Sequence, residues 1–471
     1  MIAARSAPPA QWIVLPAAIG FWAALIAAAP SLKFSAALAA PLVLAAVAWW
    51  TLSRPHRWAG AFIATALLLP PLPIALGNSG PHPCLLFAAL GILAGALHLR
   101  DWRITSDHLT RTLICLFIIL LASVGFAAIY SGAAIAIQSL ARVMLFGIGV
   151  YLFLYTAYLG AEGGAPRLTL LFWAAVVSAA IACLDFYYQL PAPAGFGPQF
   201  IWTETGRYRR AQGIFYEAST LGNFCAFFLV MIAVALTRRG RQPVLPRSVL
   251  MPGGIVLSAA LIFSYSRASV VNLVVALLML VWLERSRIRW RRAVPLLTAS
   301  FAAAIAFGYY FLPEFAAAYW RRLSSSTFYF FDYGEAVFSG RFESWRTLVH
   351  FLTTHPWHGV FGIGYKTLPY SDYIGQSVIG DNMYLSLLVE TGVLGLAALI
   401  AVNLSILAAS RRAARNPDPQ VSFLGTWMFC FWAGQCVQML SSDLLTYWRV
   451  LPVYFLVLAW AVRASRQAAA Q

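Results

Sequence analysis

The stretch TRTLICLFIILLASVGFAAIY, residues 110–130, decides the fold class of this chain. Its 21 residues carry a single charge, Arg111, next to the first position. A helix that crosses a bilayer needs roughly 20 mostly apolar residues, because the hydrocarbon core is about 30 Å thick. The stretch therefore predicts a transmembrane helix.

Similar runs recur along the chain of 471 residues, of which 61% are hydrophobic and 10% are charged. Soluble proteins are about half apolar and a quarter charged, so this composition excludes an ordinary soluble protein. The formal net charge is +17, yet the basic residues lie in short clusters between apolar runs, as topology signals do. We therefore expect a membrane protein with no nucleic-acid partner.

About fourteen segments are long and apolar enough to span a bilayer. Their approximate ranges are 12–29, 34–52, 58–76, 83–99, 110–130, 133–159, 168–190, 213–236, 249–265, 268–283, 293–312, 383–409, 421–440 and 447–464. With fourteen spans the basic clusters fall on one side, which the positive-inside rule makes the cytoplasm, together with both termini. The same rule favours a break in the apolar stretch around Arg267. The predicted fold is an all-α polytopic membrane protein.

The spans divide the chain into four regions. These are N-terminal transmembrane helices at 1–190, central transmembrane helices with arginine-bearing extracytoplasmic loops at 191–312, a large extracytoplasmic loop or lid at 313–382, and C-terminal transmembrane helices at 383–471. The large loop contains a predicted amphipathic helix at 341–354, where apolar residues recur every three or four positions until Pro356. The six cysteines lack metal-site or redox spacing, so we expect no disulfide framework and no structural zinc.

Basic residues on the extracytoplasmic side work against the positive-inside rule, which indicates that something there requires them. They are Arg207, Arg209 and Arg210 before the eighth span, Arg267 between the ninth and tenth, and Arg321, Arg322, Arg341, Arg346 and Lys366 in the large loop.

Ionisable residues within spans mark function by default. In the extracytoplasmic halves or at helix ends lie Arg142, Asp185, Glu217, Asp381, Glu390, Asp443 and Arg449. Arg142 either pairs with Asp185 or contacts a lipid phosphate. The distribution predicts one polar chamber open to the outer leaflet.

A chamber rich in arginine and aromatic residues, in contact with membrane lipid, fits a polyprenyl phosphate or pyrophosphate that carries a sugar. Guanidinium groups bind phosphate bidentately and stay charged when partly buried. The same arginines would stabilise the charge that develops on a leaving pyrophosphate. We expect no metal and no other cofactor.

Four motifs occur in order between Arg209 and Gly395. They are Arg210-Ala-Gln-Gly-Ile-Phe-Tyr-Glu217, Phe263-Ser-Tyr-Ser-Arg267, Ser339-Gly-Arg341 with Trp345, His355-Pro356 and the Gly362/Gly364 turn, and Asp381-Asn-Met-Tyr-Leu385 with Glu390-Thr-Gly392. Together they resemble the bacterial superfamily that contains O-antigen ligases and Wzy-type polysaccharide polymerases. The first six predicted spans resemble that superfamily only as hydrophobic segments.

The resemblance implies an inner-membrane glycosyltransferase with a GT-C-like fold and a periplasmic active site, which transfers a glycan from undecaprenyl pyrophosphate with inversion and without a metal. Arg267 and Arg341 match the pyrophosphate-binding arginines of the family, and we add Arg209 and Arg210 to that group. Ligases of the family carry a histidine where this chain has Asp381. The candidate bases are therefore Asp381, Glu217 and His355, and we assign Asn382, Trp345 and Tyr384 to glycan binding.

We expect a polymerase that joins undecaprenyl-pyrophosphate-linked repeat units, with a chain-length regulator and a flippase as possible partner proteins. A ligase that transfers the glycan to lipid A-core or to protein is the alternative, and a transporter or flippase of lipid-linked sugars is an alternative of another class. Several residues also have structural interpretations. Asp381 is a candidate helix N-cap, Arg267 a candidate interfacial anchor, and His355 and Glu390 are candidates for packing roles.

Overall fold

The computed structural model describes residues 21–22, 25, 31–54, 56–72, 80–105, 107–159, 168–193, 195–203, 206–237, 245–285, 306, 309–310, 313, 316–317, 320 and 341–470. The predicted spans at 12–29 and 293–312 lie mainly outside these ranges, as do Arg321, Arg322, Ser339 and Gly340. Within the described residues the chain is almost entirely helical.

The helices follow one another in the order α1 (Leu32–Leu52), α2 (Arg57–Leu68), α3 (Cys84–Leu97), α4 (His108–Ser131), α5 (Ala133–Leu154), α6 (Leu168–Tyr188), α7 (Ala218–Thr237), α8 (Arg247–Phe263), α9 (Arg267–Glu284), α10 (Arg341–Thr354), α11 (Pro356–Phe361), α12 (Met383–Ala414), α13 (Pro419–Gln438) and α14 (Leu451–Ala470). A π-helical turn at Tyr155–Leu159 extends α5, and single 3-10 turns lie at Leu99–Asp101, Gly213–Phe215 and Leu444–Thr446. Strands β1 (Phe200–Thr203) and β2 (Gly206–Arg209) form an antiparallel hairpin with Ile201 opposite Tyr208.

Helices occupy twelve of the fourteen predicted spans. Six of the described helices are long and apolar enough to cross a membrane, namely His108–Ser131, Ala133–Leu159, Leu168–Tyr188, Ala218–Thr237, Arg267–Glu284 and Met383–Ala414. The predicted break before Arg267 and the predicted amphipathic helix at 341–354 are both present. The hairpin was not predicted.

Two helices differ from the predicted ranges for local reasons. Helix α2 ends at Leu68, well before the predicted 76, because Pro70, Pro71 and Pro73 follow and the residue before a proline avoids the helical region. The helix expected from 213 begins only at Ala218, since Gly213–Phe215 form a 3-10 turn and Tyr216 has a left-handed backbone with φ +56°. Glu217 therefore precedes α7 and does not lie inside it.

The core is built around α7, which is largely buried between α8, α9, α13 and α14. Its Phe227 ring lies 4.3 Å from the Trp427 ring of α13, and the Trp427 indole donates to the Phe227 carbonyl at 2.7 Å. The side-chain amides of Asn223 in α7 and Asn272 in α9 both donate to Gln435 and Gln438 of α13 at 2.6–3.1 Å. Amide pairs of this kind hold apolar helices together where water cannot satisfy polar groups.

Helix α12 is kinked at Gly392, where φ is +70° and ψ is −172°. The kink frees the carbonyls of Val389 and Glu390, which accept hydrogen bonds from Ile363 N at 3.1 Å and Gly364 N at 2.8 Å. A Cβ added at Gly364 would lie 2.4 Å from the Cα of Ala127 in α4, so a side chain there would collide with that helix. Residues 362–368, which we call the inserted segment, therefore enter the bundle between α4 and α12. Irregular backbone is tolerated among spanning helices only where protein or a cavity surrounds it.

Candidate functional site

A cavity of about 280 Å³ lies at the end of the bundle where the inserted segment enters. Its walls come from α5, the segment before α7, the start of α10, the inserted segment, the approach to α12, and the turn between α13 and α14. The lining residues are Arg142, Glu217, Ser219, Arg341, Lys366, Leu368, Pro369, Tyr370, Ile379, Gly380, Asp381, Ser386, Glu390, Ser441, Ser442, Asp443, Thr446 and Tyr447. Five of the ionisable residues that predicted a polar chamber thus share one cavity.

The segment that carries Arg210 and Glu217 is held by Asp185 of α6. The buried Asp185 carboxylate accepts hydrogen bonds from Gln212 N at 3.3 Å and Gly213 N at 3.1 Å, and it pairs with Arg209 at 2.9 Å. The predicted alternative that Arg142 pairs with Asp185 is therefore wrong. Arg209 is engaged in this ion pair, with its side chain 14% exposed, and does not line the cavity.

Glu217 lines the cavity and is partly buried. Thr220 donates to its carboxylate at 2.6 Å. Burial raises the pKa of Glu217 above its usual value, and the negative charge of Asp443 adds to that effect, while Thr220, Arg210 and Lys366 oppose it. A carboxylate with a raised pKa is better suited to accept a proton from a sugar hydroxyl near neutral pH.

Arg210, Arg267 and Arg341 lie close enough to influence one another and form an arginine group, of which Arg341 alone is among the described residues that line the cavity. The Arg210 guanidinium donates to Ser264 O at 2.8 Å, which ties it to the junction between α8 and α9. Burial lowers the pKa of Arg210; the nearby Tyr447 and Glu217 raise it, and the positive charges of Arg341 and Arg267 lower it further. Arg267 and Arg341 also repel each other. Cations gathered in this way favour an anionic ligand.

Arg341 lines the cavity at the start of α10, where its Nε donates to Asp381 at 2.9 Å. Asp381 has a left-handed backbone with φ +41°. The N-cap of α12 is Asn382, whose side chain accepts from Leu385 N at 3.1 Å, so the structural role expected for Asp381 belongs to its neighbour. Asp381 instead holds a guanidinium at the cavity wall.

Six further predicted residues lie outside the cavity lining, namely Trp345, Tyr384, His355, Asn382, Arg210 and Arg267. Trp345 donates to Gly380 O at 2.8 Å, and Tyr384 donates to Cys436 O at 2.9 Å. His355 is exposed before α11, stacks on Phe351 at 5.1 Å and bonds to Thr354. Trp345 thus fixes the backbone beside Asp381, while the exposed His355 does not line the cavity and has no support as the base.

Lys366 and Asp443 form an ion pair that the sequence did not predict. Lys366, in the inserted segment with φ +57°, donates to the Asp443 carboxylate, and Asp443 also accepts from Leu445 N at 3.0 Å. Burial would lower the pKa of Lys366, but Asp443 and Glu390 raise it above its usual value, so the ammonium stays charged. The sequence contained one feature that sets Lys366 apart, because it is one of only two lysines among the 33 Lys and Arg residues.

Residues 252–400 match the protein-family model described as O-Antigen ligase. The matched range runs from α8 into α12 and contains Arg267, Arg341, Lys366 and Asp381. It covers 149 of the 471 residues. No curated protein matches the chain. The family match agrees with the superfamily that the motifs resemble, and it indicates a multi-pass membrane protein of ligase-like or polymerase-like glycan assembly.

Proposed function

We propose that this chain is an inner-membrane glycosyltransferase that joins undecaprenyl-pyrophosphate-linked oligosaccharide repeat units at the periplasmic face. The observation that supports it most is one cavity whose lining contains both Arg341, with Arg210 and Arg267 nearby, and the partly buried Glu217. Such a cavity combines an anion site with a proton acceptor, and glycosyl transfer from a lipid diphosphate needs both.

The arginine group would hold the donor diphosphate. Each guanidinium presents a planar fork that matches two phosphate oxygens and remains charged when buried. As the glycosidic bond breaks, negative charge grows on the leaving diphosphate, and each well-placed donor stabilises that charge by about 3–4 kcal/mol. The Asp381 carboxylate holds the Arg341 side chain, so the guanidinium is oriented before the donor arrives.

Glu217 is the base that the geometry favours. The acceptor hydroxyl oxygen attacks the anomeric carbon from the face opposite the diphosphate, the bond to the diphosphate oxygen breaks, and the hydroxyl proton passes to Glu217. The configuration is inverted, and the lipid diphosphate leaves with the electron pair. Asp381 is less suited to this role because Arg341 already occupies one of its oxygens at 2.9 Å.

The choice of polymerase over ligase rests on Asp381, which stands where ligases of the resembling superfamily carry histidine. The ligase remains the second candidate, since the matched family model bears that description. A transporter or flippase of lipid-linked sugars would share the arginine group but would not consume its substrate.

The test uses the purified full-length protein in nanodiscs with undecaprenyl-pyrophosphate-linked repeat units and no ion gradient. A ladder of products with release of undecaprenyl pyrophosphate supports a polymerase, and transfer only to added lipid A-core supports a ligase. Intact substrate in both assays, with Glu217→Gln as the inactive reference, would contradict glycosyl transfer and leave transport as the function to measure.

A further inference from the structure

Arg142 lies well inside α5, a helix long and apolar enough to cross a membrane. It is the tenth residue of α5, whose first residue, Ala133, follows directly on the turn at Gly132. At about 1.5 Å per residue, Arg142 is about 13 Å from that end of the helix. An ionised side chain at such depth is costly unless an opposite charge or several hydrogen bonds accompany it.

The protein supplies little of that compensation. The Arg142 guanidinium lies 4.3 Å from the centre of the Tyr370 ring, and one of its nitrogens donates to Lys366 O at a long 3.4 Å. Among the residues that the structure describes, no carboxylate lies within 4.0 Å of it. Of the described residues that line the cavity, the other two with Lys or Arg side chains are both paired, Arg341 with Asp381 and Lys366 with Asp443.

The position also separates Arg142 from the arginine group. Its contacts are with the inserted segment and Tyr370. Arg341, by contrast, lies at the start of α10, where it and Arg267 are close enough to Arg210 to lower its pKa. A guanidinium has five N–H donors, and the residues that the structure describes accept from one of those on Arg142. The remaining donors belong to a partly exposed side chain that lines the cavity, so a ligand there can reach them.

We propose that Arg142 and Tyr370 form a second oxyanion subsite of the cavity, which receives an acidic group of the glycan substrate, with the guanidinium on the oxyanion and the phenol ring beside the sugar. The group is a carboxylate of an acidic sugar or a phosphate, both of which a guanidinium binds bidentately. The assignment to a glycan rests on the proposed function; the anion subsite itself does not.

Removal of Arg142 has an unusual expected effect on stability. Arg142 is a partly exposed cation with no carboxylate within 4.0 Å among the described residues, so Arg142→Met breaks no ion pair there and should leave the midpoint of thermal unfolding unchanged or raise it. Loss of a structural arginine would lower that midpoint instead. Arg346→Met is the matched control, because Arg346 is exposed on α10 and does not line the cavity.

Ligand binding is measured as the thermal shift of the full-length protein with methyl glucuronide, methyl glucoside or glucose 1-phosphate at equal ionic strength. We expect an anion to stabilise the wild type and Arg346→Met, and its apparent affinity to fall at least about tenfold in Arg142→Met. A loss confined to the glucuronide identifies a carboxylate subsite, and a loss confined to glucose 1-phosphate a phosphate subsite.

Two results would overturn the subsite: a lower unfolding midpoint for Arg142→Met, or shifts with both anions that do not depend on Arg142. Failure of the glycosyl-transfer assay beside Arg142-dependent binding would reject the proposed function and leave the subsite standing.

Discussion

Lys366 and Asp443 form an ion pair in the cavity wall, and the two charges act in opposite directions on Glu217. The negative charge of Asp443 raises the pKa of Glu217, and the positive charge of Lys366 lowers it. The inserted segment and the turn after α13 thus bring balanced charges to the proposed base. Arg210 and Tyr447 are the other ionisable groups near it.

Breaking this pair should move the pH dependence of turnover in two directions. Glu217 must be deprotonated to act as a base, so activity falls as pH drops through its pKa. Lys366→Met leaves the negative charge of Asp443 uncompensated and raises the pKa of Glu217. The low-pH limb of the activity profile should therefore move up by about one pH unit, whereas Asp443→Asn should move it down by a similar amount. The measurement is the pH profile of kcat/KM.

The double variant Lys366→Met with Asp443→Asn is the control, since it removes both charges and should return the acid limb close to that of the wild type. Equal losses of activity at every pH, with no displacement of the limb, would mean that the pair serves only to hold the fold.

Replacing the proposed base should separate chemistry from binding. Glu217→Gln keeps the shape and the contact with Thr220 but cannot accept the proton, so kcat should fall about 10²–10⁴-fold while donor binding is retained. Asp381→Asn should cost less, because its main contact is with Arg341. The reverse order of these losses would transfer the role of base to Asp381.

The arginine group should show a strong preference for guanidinium over ammonium. Arg341→Ala and Arg267→Ala should each lower kcat/KM by about 10²–10³-fold, in line with the loss of one donor to the leaving group. Arg→Lys at either position should recover little, since an ammonium is a point charge and not a fork. Near-normal turnover in both alanine variants would remove these residues from the mechanism.

Arg209 and Asp185 should behave as a structural pair. Breaking a buried ion pair from one side costs about 3–5 kcal/mol of folding free energy, so Arg209→Met should lower the midpoint of thermal unfolding markedly. The combination Arg209→Met with Asp185→Asn should recover part of it. If Arg209→Met instead raises KM for the donor at unchanged stability, Arg209 binds pyrophosphate after all.

The kink of α12 should depend on Gly392. A Cβ built there lies 2.0 Å from Val360 O, and the backbone is left-handed with φ +70°, so Gly392→Ala should be strongly destabilising. Gly60→Ala is the matched control in α2, where nothing lies within 4 Å of the added Cβ, and it should stabilise by about 0.5–1 kcal/mol. Equal unfolding midpoints for the two variants would contradict the described kink.

Apolar length alone predicted the positions of twelve of the described helices, because a bilayer-sized run of hydrophobic residues needs no partner to be recognised. The break before Arg267 followed from charge placement. The end of α2 and the start of α7 were not predicted, because prolines end α2 and the left-handed Tyr216 delays α7 within runs that are still apolar.

The sequence also placed Arg142, Glu217, Asp381, Glu390 and Asp443 on one side of the bundle, which a count of spans and charges can do. It did not show which charges pair. Asp185 meets Arg209 and Lys366 meets Asp443, and the second pair joins residues 77 positions apart through an irregular segment that inserts beside a helix kink.

The amino-acid sequence by itself thus predicted a helical membrane protein with ionisable residues gathered in one half of its spans, since hydrophobicity and charge are properties of each segment taken alone. The tertiary structure decided which charged side chains pair, which arginine has no carboxylate within 4.0 Å among the described residues, and which residues share a cavity. Those properties depend on distance and burial, and both are set only when segments remote in the chain pack against one another.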